Sequence, residues 1–260
     1  MDYNRYGYGY CDGDDSLSAK FEGLYLGDSP YRPQTAATKT YAKKKTQKYV
    51  SYGKEEAKYK YHDGYQEDDS DESQIAEAVF NPETYSKDEG ITSMVAIDCE
   101  MVGVNYTESG LARISIVNYD GHVLMDTYVK PEGKITNYRS WVSGVYPSDL
   151  KYAMGFKKAR AQAIAILKGR DIIGHSLHND FKALQWRPKK YNIKDISLIK
   201  EFRHPGTNQP RSLKKLTLEF LGKKIQSGSH DSVDDARAAL GCYRVHQSQQ
   251  STRKKKYHYY

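Results

Sequence analysis

The chain of 260 residues carries a formal net charge of +7 and has room for one substantial domain with additional segments. Its mean hydropathy is −0.82, and no stretch has the apolar length of a membrane-spanning helix, so we expect no membrane association. The first ten residues lack the apolar segment of a secretory signal peptide, so we expect none. The three cysteines lack CxxC spacing, which predicts reduced thiols in the cytosol or nucleus and argues against a zinc site.

Composition divides the chain near residue 90. Residues 1–90 hold 13 of the 24 tyrosines and few aliphatic residues, with 12 Lys/Arg against 18 Asp/Glu. Such a segment buries too little apolar surface to offset the entropy lost on ordering, so we predict a Tyr-rich, mostly disordered tail. Residues 91–260 hold 28 Lys/Arg against 15 Asp/Glu, a net charge of +13. This favours a polyanionic partner, with nucleic acid first; the alternative is a charge that serves only solubility.

Residues 91–248 show a succession of strand and helix patterns that predicts an α/β domain, followed by a basic, Tyr-containing C-terminal tail at residues 249–260. Short apolar and β-branched runs predict five strands, at residues 94–99, 111–119, 122–130, 170–175 and 191–197. The Asp120-Gly121 pair is a strong hairpin signal between the second and third strands. Helical periodicity predicts four helices, at residues 156–169, 176–186, 212–222 and 232–247. We therefore expect a mixed five-stranded sheet flanked by helices.

Four acidic residues lie where these predicted elements begin or end. Asp98 and Glu100 end the first strand, and residues two apart on a strand face the same side. Asp180 follows the fourth strand, and Asp235 lies near the start of the last helix. Carboxylates that meet in one cleft repel one another unless a divalent cation lies among them, and oxygen ligands select Mg²⁺ or Mn²⁺. Two such ions are suited to hold the attacking and leaving oxygens of a phosphodiester.

The motifs that contain these acids resemble those of the DEDDh 3′-to-5′ exonucleases in order and spacing. They read AIDCEMVG at 96–103, GRDIIGHSLHNDFKAL at 169–184 and SHDSVDDARAALGCYR at 229–244. Within this family the chain resembles the RNA exonuclease 4 group, which is similar to the interferon-stimulated exonucleases. The resemblance covers residues 94–246 and omits the N-terminal tail. It implies a ribonuclease H-like fold that removes nucleotides one at a time from the 3′ end of RNA, and sometimes of single-stranded DNA.

The resemblance also assigns roles to individual residues. His230, five residues before the last acid, matches the general base. Met101 resembles the residue that packs on the terminal nucleotide, and Arg139 resembles an arginine that contacts the substrate. Four acids match the catalytic ligands of two Mg²⁺ or Mn²⁺ ions: Asp98, Glu100, Asp180 and Asp235.

One departure from the family pattern and several alternative interpretations concern residues near these motifs. The family usually reads HSSVEDAR where this chain has HDSVDDAR, so Asp231 adds an acid beside the predicted base. Asp235 alone could be the acid of a capping box, and Met101 could be an ordinary core residue. For Arg113 we favour an ion pair at the edge of the core, and for Asp195 a helix cap.

The sequence thus predicts a metal-dependent 3′-to-5′ exoribonuclease that releases nucleoside 5′-monophosphates in RNA processing, including rRNA, or in RNA turnover. The alternatives are a single-stranded DNA exonuclease of the same mechanism and an inactive nucleic-acid-binding module. The expected partner is the single-stranded 3′ end of RNA, with single-stranded DNA as the second candidate, and we favour a monomer. We expect a nuclear location, with the nucleolus and the cytoplasm as further options.

Overall fold

The computed structural model describes residues 72–258. Most of the predicted N-terminal tail, residues 1–71, lies outside the described residues, as do residues 259–260. None of the helices in the described range combines the length and the apolar character needed to cross a bilayer.

The described residues contain one mixed sheet of seven strands, in the order β5-β3-β2-β1-β6-β7 with β4 paired to β1. β1 and β3 are antiparallel to β2, and β6 is parallel to β1 and β7. The prediction of five strands missed two short ones, β4 of three residues and β5 of two. Segments this short cannot show the two-residue alternation that identifies a strand in the sequence. The strands are β1 (Met94–Val104), β2 (Glu108–Asn118), β3 (Val123–Lys130), β4 (Ile135–Asn137), β5 (Met154–Gly155), β6 (Asp171–Gly174) and β7 (Ile193–Asp195).

The described helices include all four that the sequence predicted. The last one is longer than predicted and continues to His258, so the predicted C-terminal tail is largely helical; residues 247–258 contain no Gly or Pro that would end a helix. Single turns of 3₁₀-helix lie around β7, at Lys190–Asn192, Ile196–Leu198 and Lys200–Phe202. The α-helices are α1 (Glu72–Phe80), α2 (Pro82–Tyr85), α3 (Ser140–Ser143), α4 (Pro147–Leu150), α5 (Phe156–Leu167), α6 (His178–Ala183), α7 (Leu213–Leu221) and α8 (Ser232–His258).

Helix α1 lies within the segment that the sequence assigned to the disordered tail. Its residues Ile75, Val79 and Phe80 are buried in the same core as apolar residues of α7 and α8. Burial of each such side chain contributes about 1.5–3 kcal/mol, which favours order in this segment. The folded part therefore begins before residue 91, and this end of the predicted tail is corrected. The prediction failed because the apolar positions of α1 cover only two helical turns within an acidic, polar stretch.

Strand β1 separates two cores and thereby directs the acids at its end. Val95 and Ile97 pack with α5 and α6 on one face of the sheet. Ala96 packs with α1, α7 and α8 on the other face. Because side chains alternate along a strand, Asp98 and Glu100 continue the face of Ala96, which is covered by α8.

Candidate active site

Asp98 and Glu100 form the β1 part of an acidic site. Asp98 is partly buried and Glu100 is only 6% exposed. In the antiparallel register they lie opposite Ser115 and Arg113 of β2, and the register shifts directly after Glu100. The period-two prediction is thus realised, with both acids on the last regular positions of β1 before the shift.

Asp180 reaches the same site from the N-terminal turn of α6. It is buried, and its Oδ1 accepts a hydrogen bond of 2.9 Å from the backbone N–H of Cys99. The turn before α6 is fixed by Asp195, whose carboxylate accepts hydrogen bonds of 2.9 Å from the backbone N–H groups of Ser176 and Leu177. Asp195 also caps the following 3₁₀-helix, which confirms the predicted capping role.

Asp235 completes the acidic set from the first turn of α8. It is only 2% exposed, and its Oδ2 accepts a hydrogen bond of 2.9 Å from Nε2 of Gln226. The same Oδ2 lies 3.5 Å from Nδ1 of His230. The side chain of Asp235 is therefore directed into the site rather than engaged in capping its own helix.

Burial raises the pKa of every acid of this set, and repulsion from neighbouring acids raises it further. Burial raises the pKa of Asp98 well above its ordinary value, and the neighbouring charges of Asp180, Asp235 and Glu100 raise it further. Burial, together with the charge of Asp235, raises the pKa of Glu100 to about 8, although Arg113 opposes this shift. Four ionised carboxylates are therefore unfavourable here without an added positive charge.

The pKa values of the other two acids are raised less because each accepts hydrogen bonds. Burial raises the pKa of Asp180 to about 7, although the hydrogen bonds from Cys99 lower it. Burial raises the pKa of Asp235 to about 6 against the hydrogen bond from Gln226. The carboxylate forms of these two acids are thus the more accessible at neutral pH.

The available oxygen atoms of the site fit a divalent cation. Glu100 Oε1 and Asp235 Oδ1 are buried and have no hydrogen-bond partner. Potential ligand atoms of Glu100, His230 and Asp235 all lie within 4.8 Å of one another. An unsatisfied buried polar atom costs about 1–3 kcal/mol, which a cation bound to these oxygens would offset. Asp98 and Asp180 lie outside this three-residue cluster, but the charges of its two acids, Glu100 and Asp235, raise the pKa of Asp98.

His230 lies in the loop between α7 and α8, and backbone contacts fix its position. Its N–H donates a hydrogen bond of 2.8 Å to the carbonyl oxygen of Val142 in α3. Gly144 permits this approach, because a Cβ there would lie 2.7 Å from the carbonyl oxygen of His230. Burial, together with the positive charge of Lys214, lowers the pKa of His230. The imidazole is therefore neutral at neutral pH, as a general base must be.

Comparison with known sequences gives the family. The exonuclease family of the RNase T type matches residues 95–243, which is more than half of the chain. The chain belongs to this exonuclease family. It is 43% identical over 157 residues to RNA exonuclease 4 of Debaryomyces hansenii, and 45% identical over 162 residues to RNA exonuclease 4 of Saccharomyces cerevisiae. These alignments cover 60% and 61% of this chain, and the chain spans 58% and 56% of the two relatives.

Solved structures of related exonuclease domains confirm the fold class. The Neurospora crassa Pan2 catalytic unit, with its protease and nuclease domain, matches with a TM-score of 0.57 and 26% identity over 65% of this chain and 29% of that chain. The Saccharomyces cerevisiae Pan2 pseudoubiquitin hydrolase-RNA exonuclease module in complex with AAUUAA RNA matches with a TM-score of 0.55 and 27% identity over 64% of this chain and 31% of that chain. The predicted mixed α/β sheet flanked by helices and the resemblance to RNA exonuclease 4 are both confirmed.

The extra acid of this exonuclease chain, Asp231, faces a cation. Nη2 of Arg113 lies 3.6 Å from Asp231 Oδ1, and Arg113 also forms a bidentate pair with Asp126 at 2.8 and 3.0 Å. The predicted ion-pair role of Arg113 is thus confirmed. Asp231 Oδ1 also accepts a hydrogen bond of 2.9 Å from the N–H of Val233, so it caps α8.

The two residues assigned to substrate binding lie on the strand and loop around the acids. Met101 follows Glu100 and packs, partly buried, against the core beneath α5 and α6. Arg139 has a left-handed φ of 50° and donates a hydrogen bond of 3.0 Å to Ser109 Oγ. Their contacts with a substrate remain predictions.

Sequence reasoning missed three contributors to the site. Gln226 bonds Asp235, Lys214 lowers the pKa of His230, and the carbonyl oxygen of Val142 anchors the His230 loop. The segment between α7 and α8 has no periodicity, and a backbone carbonyl leaves no signature in the sequence. The Lys214–Gln226 contact, 2.8 Å from Nζ to a carbonyl oxygen, is visible only in three dimensions.

Proposed function

We propose that this protein is a metal-dependent 3′-to-5′ exoribonuclease that releases nucleoside 5′-monophosphates. The observation that carries the proposal is the convergence of four acids, two of which have buried oxygens without partners, beside a neutral histidine. Membership of the exonuclease family, the names of the RNA exonuclease 4 relatives and the RNA in the Pan2 complex support RNA as the substrate. A net charge of +13 on residues 91–260 suits a polyanion.

The acids would hold two Mg²⁺ or Mn²⁺ ions, with Asp98, Glu100, Asp180 and Asp235 as ligands. When bound, such ions acidify a water molecule and stabilise the departing oxygen of a phosphodiester. Hydrogen bonds from the Cys99 N–H and the Gln226 side chain hold Asp180 and Asp235 in place. The ligand set thus lies on strand β1 and on the first turns of α6 and α8.

His230 would act as the general base. Its neutral imidazole takes one proton from the attacking water, and the hydroxide attacks the phosphorus of the last phosphodiester bond. The bond from phosphorus to the 3′ oxygen breaks, that oxygen takes a proton from solvent, and a nucleoside 5′-monophosphate leaves. Asp235 Oδ2, 3.5 Å from Nδ1 of His230, stabilises the imidazolium that forms.

Arg139 and Met101 would bind the terminal nucleotide. The guanidinium of Arg139, held by Ser109, can pair with a phosphate, and the thioether of Met101 offers an apolar surface to a base.

A nuclear location and a role in rRNA processing also belong to the proposal. Imaging of the tagged full chain in cells, with and without substitution of the basic run Arg253–Lys256, tests the location.

The test uses the full chain with short single-stranded RNA labelled at the 5′ end, in Mg²⁺, Mn²⁺ or EDTA. We expect a ladder that shortens from the 3′ end, nucleoside 5′-monophosphates as products and no cleavage in EDTA. Asp235→Asn should lower the rate by about 10³-fold or more, whereas the exposed acid variant Glu83→Gln serves as the matched control. Cleavage that persists in EDTA, or loss of the 5′ label first, would contradict the mechanism. Faster cleavage of matched single-stranded DNA would contradict the RNA assignment.

A further inference from the structure

A large aromatic side chain is exposed next to the predicted base. Trp141 of α3 is 81% exposed to solvent. The next residue along the chain, Val142, accepts the hydrogen bond from the His230 N–H. The indole is therefore carried by the same short segment that supports the His230 loop. Exposure of a whole indole is unfavourable unless a partner covers it.

The segment that carries Trp141 is held rigidly. Ser143 Oγ donates a hydrogen bond of 2.9 Å to the carbonyl oxygen of Tyr138, and Ser140 Oγ donates one to the carbonyl oxygen of Val145. The Gly144 N–H donates a hydrogen bond of 3.0 Å to the carbonyl oxygen of Ser140. These bonds close the turn on both sides of Trp141, so that the backbone that carries the indole is fixed next to the residue that holds the His230 loop.

Cationic side chains lie close in sequence or space to the exposed aromatic rings of residues 139–152. Arg139 lies two residues before Trp141, and Lys151 Nζ lies 5.2 Å from the centre of the exposed Tyr152 ring. Asp149, the one acidic residue among residues 139–152, accepts a hydrogen bond of 2.8 Å from the Tyr146 N–H. Exposed aromatic rings interleaved with cations suit a single-stranded nucleic acid better than an apolar protein surface.

We propose that Trp141 is a stacking platform for a base of single-stranded RNA upstream of the 3′-terminal nucleotide. The inference rests on the proposed function, because it requires that the acids hold the terminal phosphodiester and that the rest of the strand passes the segment beside His230. An aromatic face stacks on every base, whatever its sequence. This suits an exonuclease that meets a new base after each cleavage.

Fluorescence provides a direct test, since the chain has only two tryptophans, Trp141 and Trp186. Trp186 contacts Phe181 edge-on, and Trp186→Phe leaves the indole of Trp141 as the reporter. Titration of short single-stranded RNA into the full chain in EDTA should quench this emission. The affinity of the Trp141 variants is measured by the fluorescence anisotropy of a dye-labelled RNA in EDTA, because they lack the reporter. Trp141→Ala should weaken this binding by about tenfold, and Trp141→Phe should retain most of it. The matched control is Tyr85→Ala, which removes another exposed ring, next to Ser86 and the β2–β3 hairpin.

Substrate length separates stacking from a purely structural role. In Mn²⁺, Trp141→Ala should lower kcat/KM more for a longer RNA than for a dinucleotide, because only the longer strand reaches the platform. Equal losses on both substrates, unchanged RNA affinity of Trp141→Ala, or a Trp141 emission that responds to protein concentration but not to RNA would each overturn the inference. RNA-dependent quenching in a wild-type protein that hydrolyses neither substrate would support the platform and refute the proposed function.

Discussion

Replacement of Glu100 by glutamine should stabilise the metal-free protein, and the gain should grow with pH. In the fold, burial raises the pKa of Glu100 to about 8, against an ordinary value of 4.5. The folded state therefore favours the protonated form, while the unfolded chain is ionised at neutral pH. A group with a raised folded pKa contributes its full stability below the unfolded value and loses it as the pH rises through the folded value. Glutamine resembles the protonated side chain and does not titrate.

The size of the gain follows from the two pKa values. Each unit of difference corresponds to about 1.4 kcal/mol, so the free energy of unfolding of the wild type falls by about 3 kcal/mol between pH 4.5 and pH 7 on account of Glu100. Glu100→Gln should thus be more stable than wild type by about 3 kcal/mol at pH 7 and by less than about 1 kcal/mol at pH 5. Mg²⁺ should narrow the difference at pH 7, since a cation bound to the acids stabilises the ionised wild type.

Urea denaturation of the full chain in EDTA, at a series of pH values from 5 to about 8, measures this difference. Glu83→Gln controls for the loss of any exposed negative charge. A constant difference between Glu100→Gln and wild type across the series, or a Glu100→Gln protein that is less stable at pH 7, would refute the argument that the buried acids are strained without a cation.

Three further predictions concern the base, the extra acid and the domain boundary. In the metal-free protein, His230 should titrate below its ordinary pKa of 6.5, which NMR can measure. The single-turnover rate should rise with pH as His230 loses its proton, and His230→Asn should abolish this rise. An unchanged pH profile in His230→Asn would show that another group is the base. Asp231→Ser should change the free energy of unfolding by less than about 1 kcal/mol in urea, because the Asp231 side chain is 53% exposed in its pair with Arg113; a loss of several kcal/mol would show that the pair is structural. A chain that begins at residue 91 should melt well below one that begins at residue 72, because it lacks the buried side chains of α1; equal melting temperatures would restore the boundary at residue 91.

The four acids could be predicted from the sequence because simple rules govern where they lie. Asp98 and Glu100 follow an apolar run, and the two-residue period of a strand puts both on one face. Asp180 and Asp235 lie in the first turns of predicted helices, and each is followed by apolar helical residues. Local patterns therefore predicted that these acids share one site, and in the structure the charges of Asp180, Asp235 and Glu100 raise the pKa of Asp98.

The remainder depended on contacts between segments that are distant in sequence. Helix α1 is amphipathic over only nine residues, and its order comes from burial against α7 and α8, which no local pattern reveals. The low pKa of His230 depends on Lys214, sixteen positions earlier in the chain and brought near by the loop after α7. Neither effect has a signature within a window of one helix or strand.

The departure at Asp231 can be explained by how the segment 230–235 is attached. Its members are hydrogen-bonded to different parts of the fold. The His230 N–H donates to Val142 of α3, and Ser232 Oγ lies 2.7 Å from Ser115 Oγ of β2. Asp235 accepts a hydrogen bond from Gln226. Between these fixed points the side chain at 231 projects toward Arg113. An added negative charge there meets an existing cation, and burial together with Lys214, rather than Asp231, governs the pKa of His230. The chain therefore accommodates an acid next to its base without raising the pKa of that base.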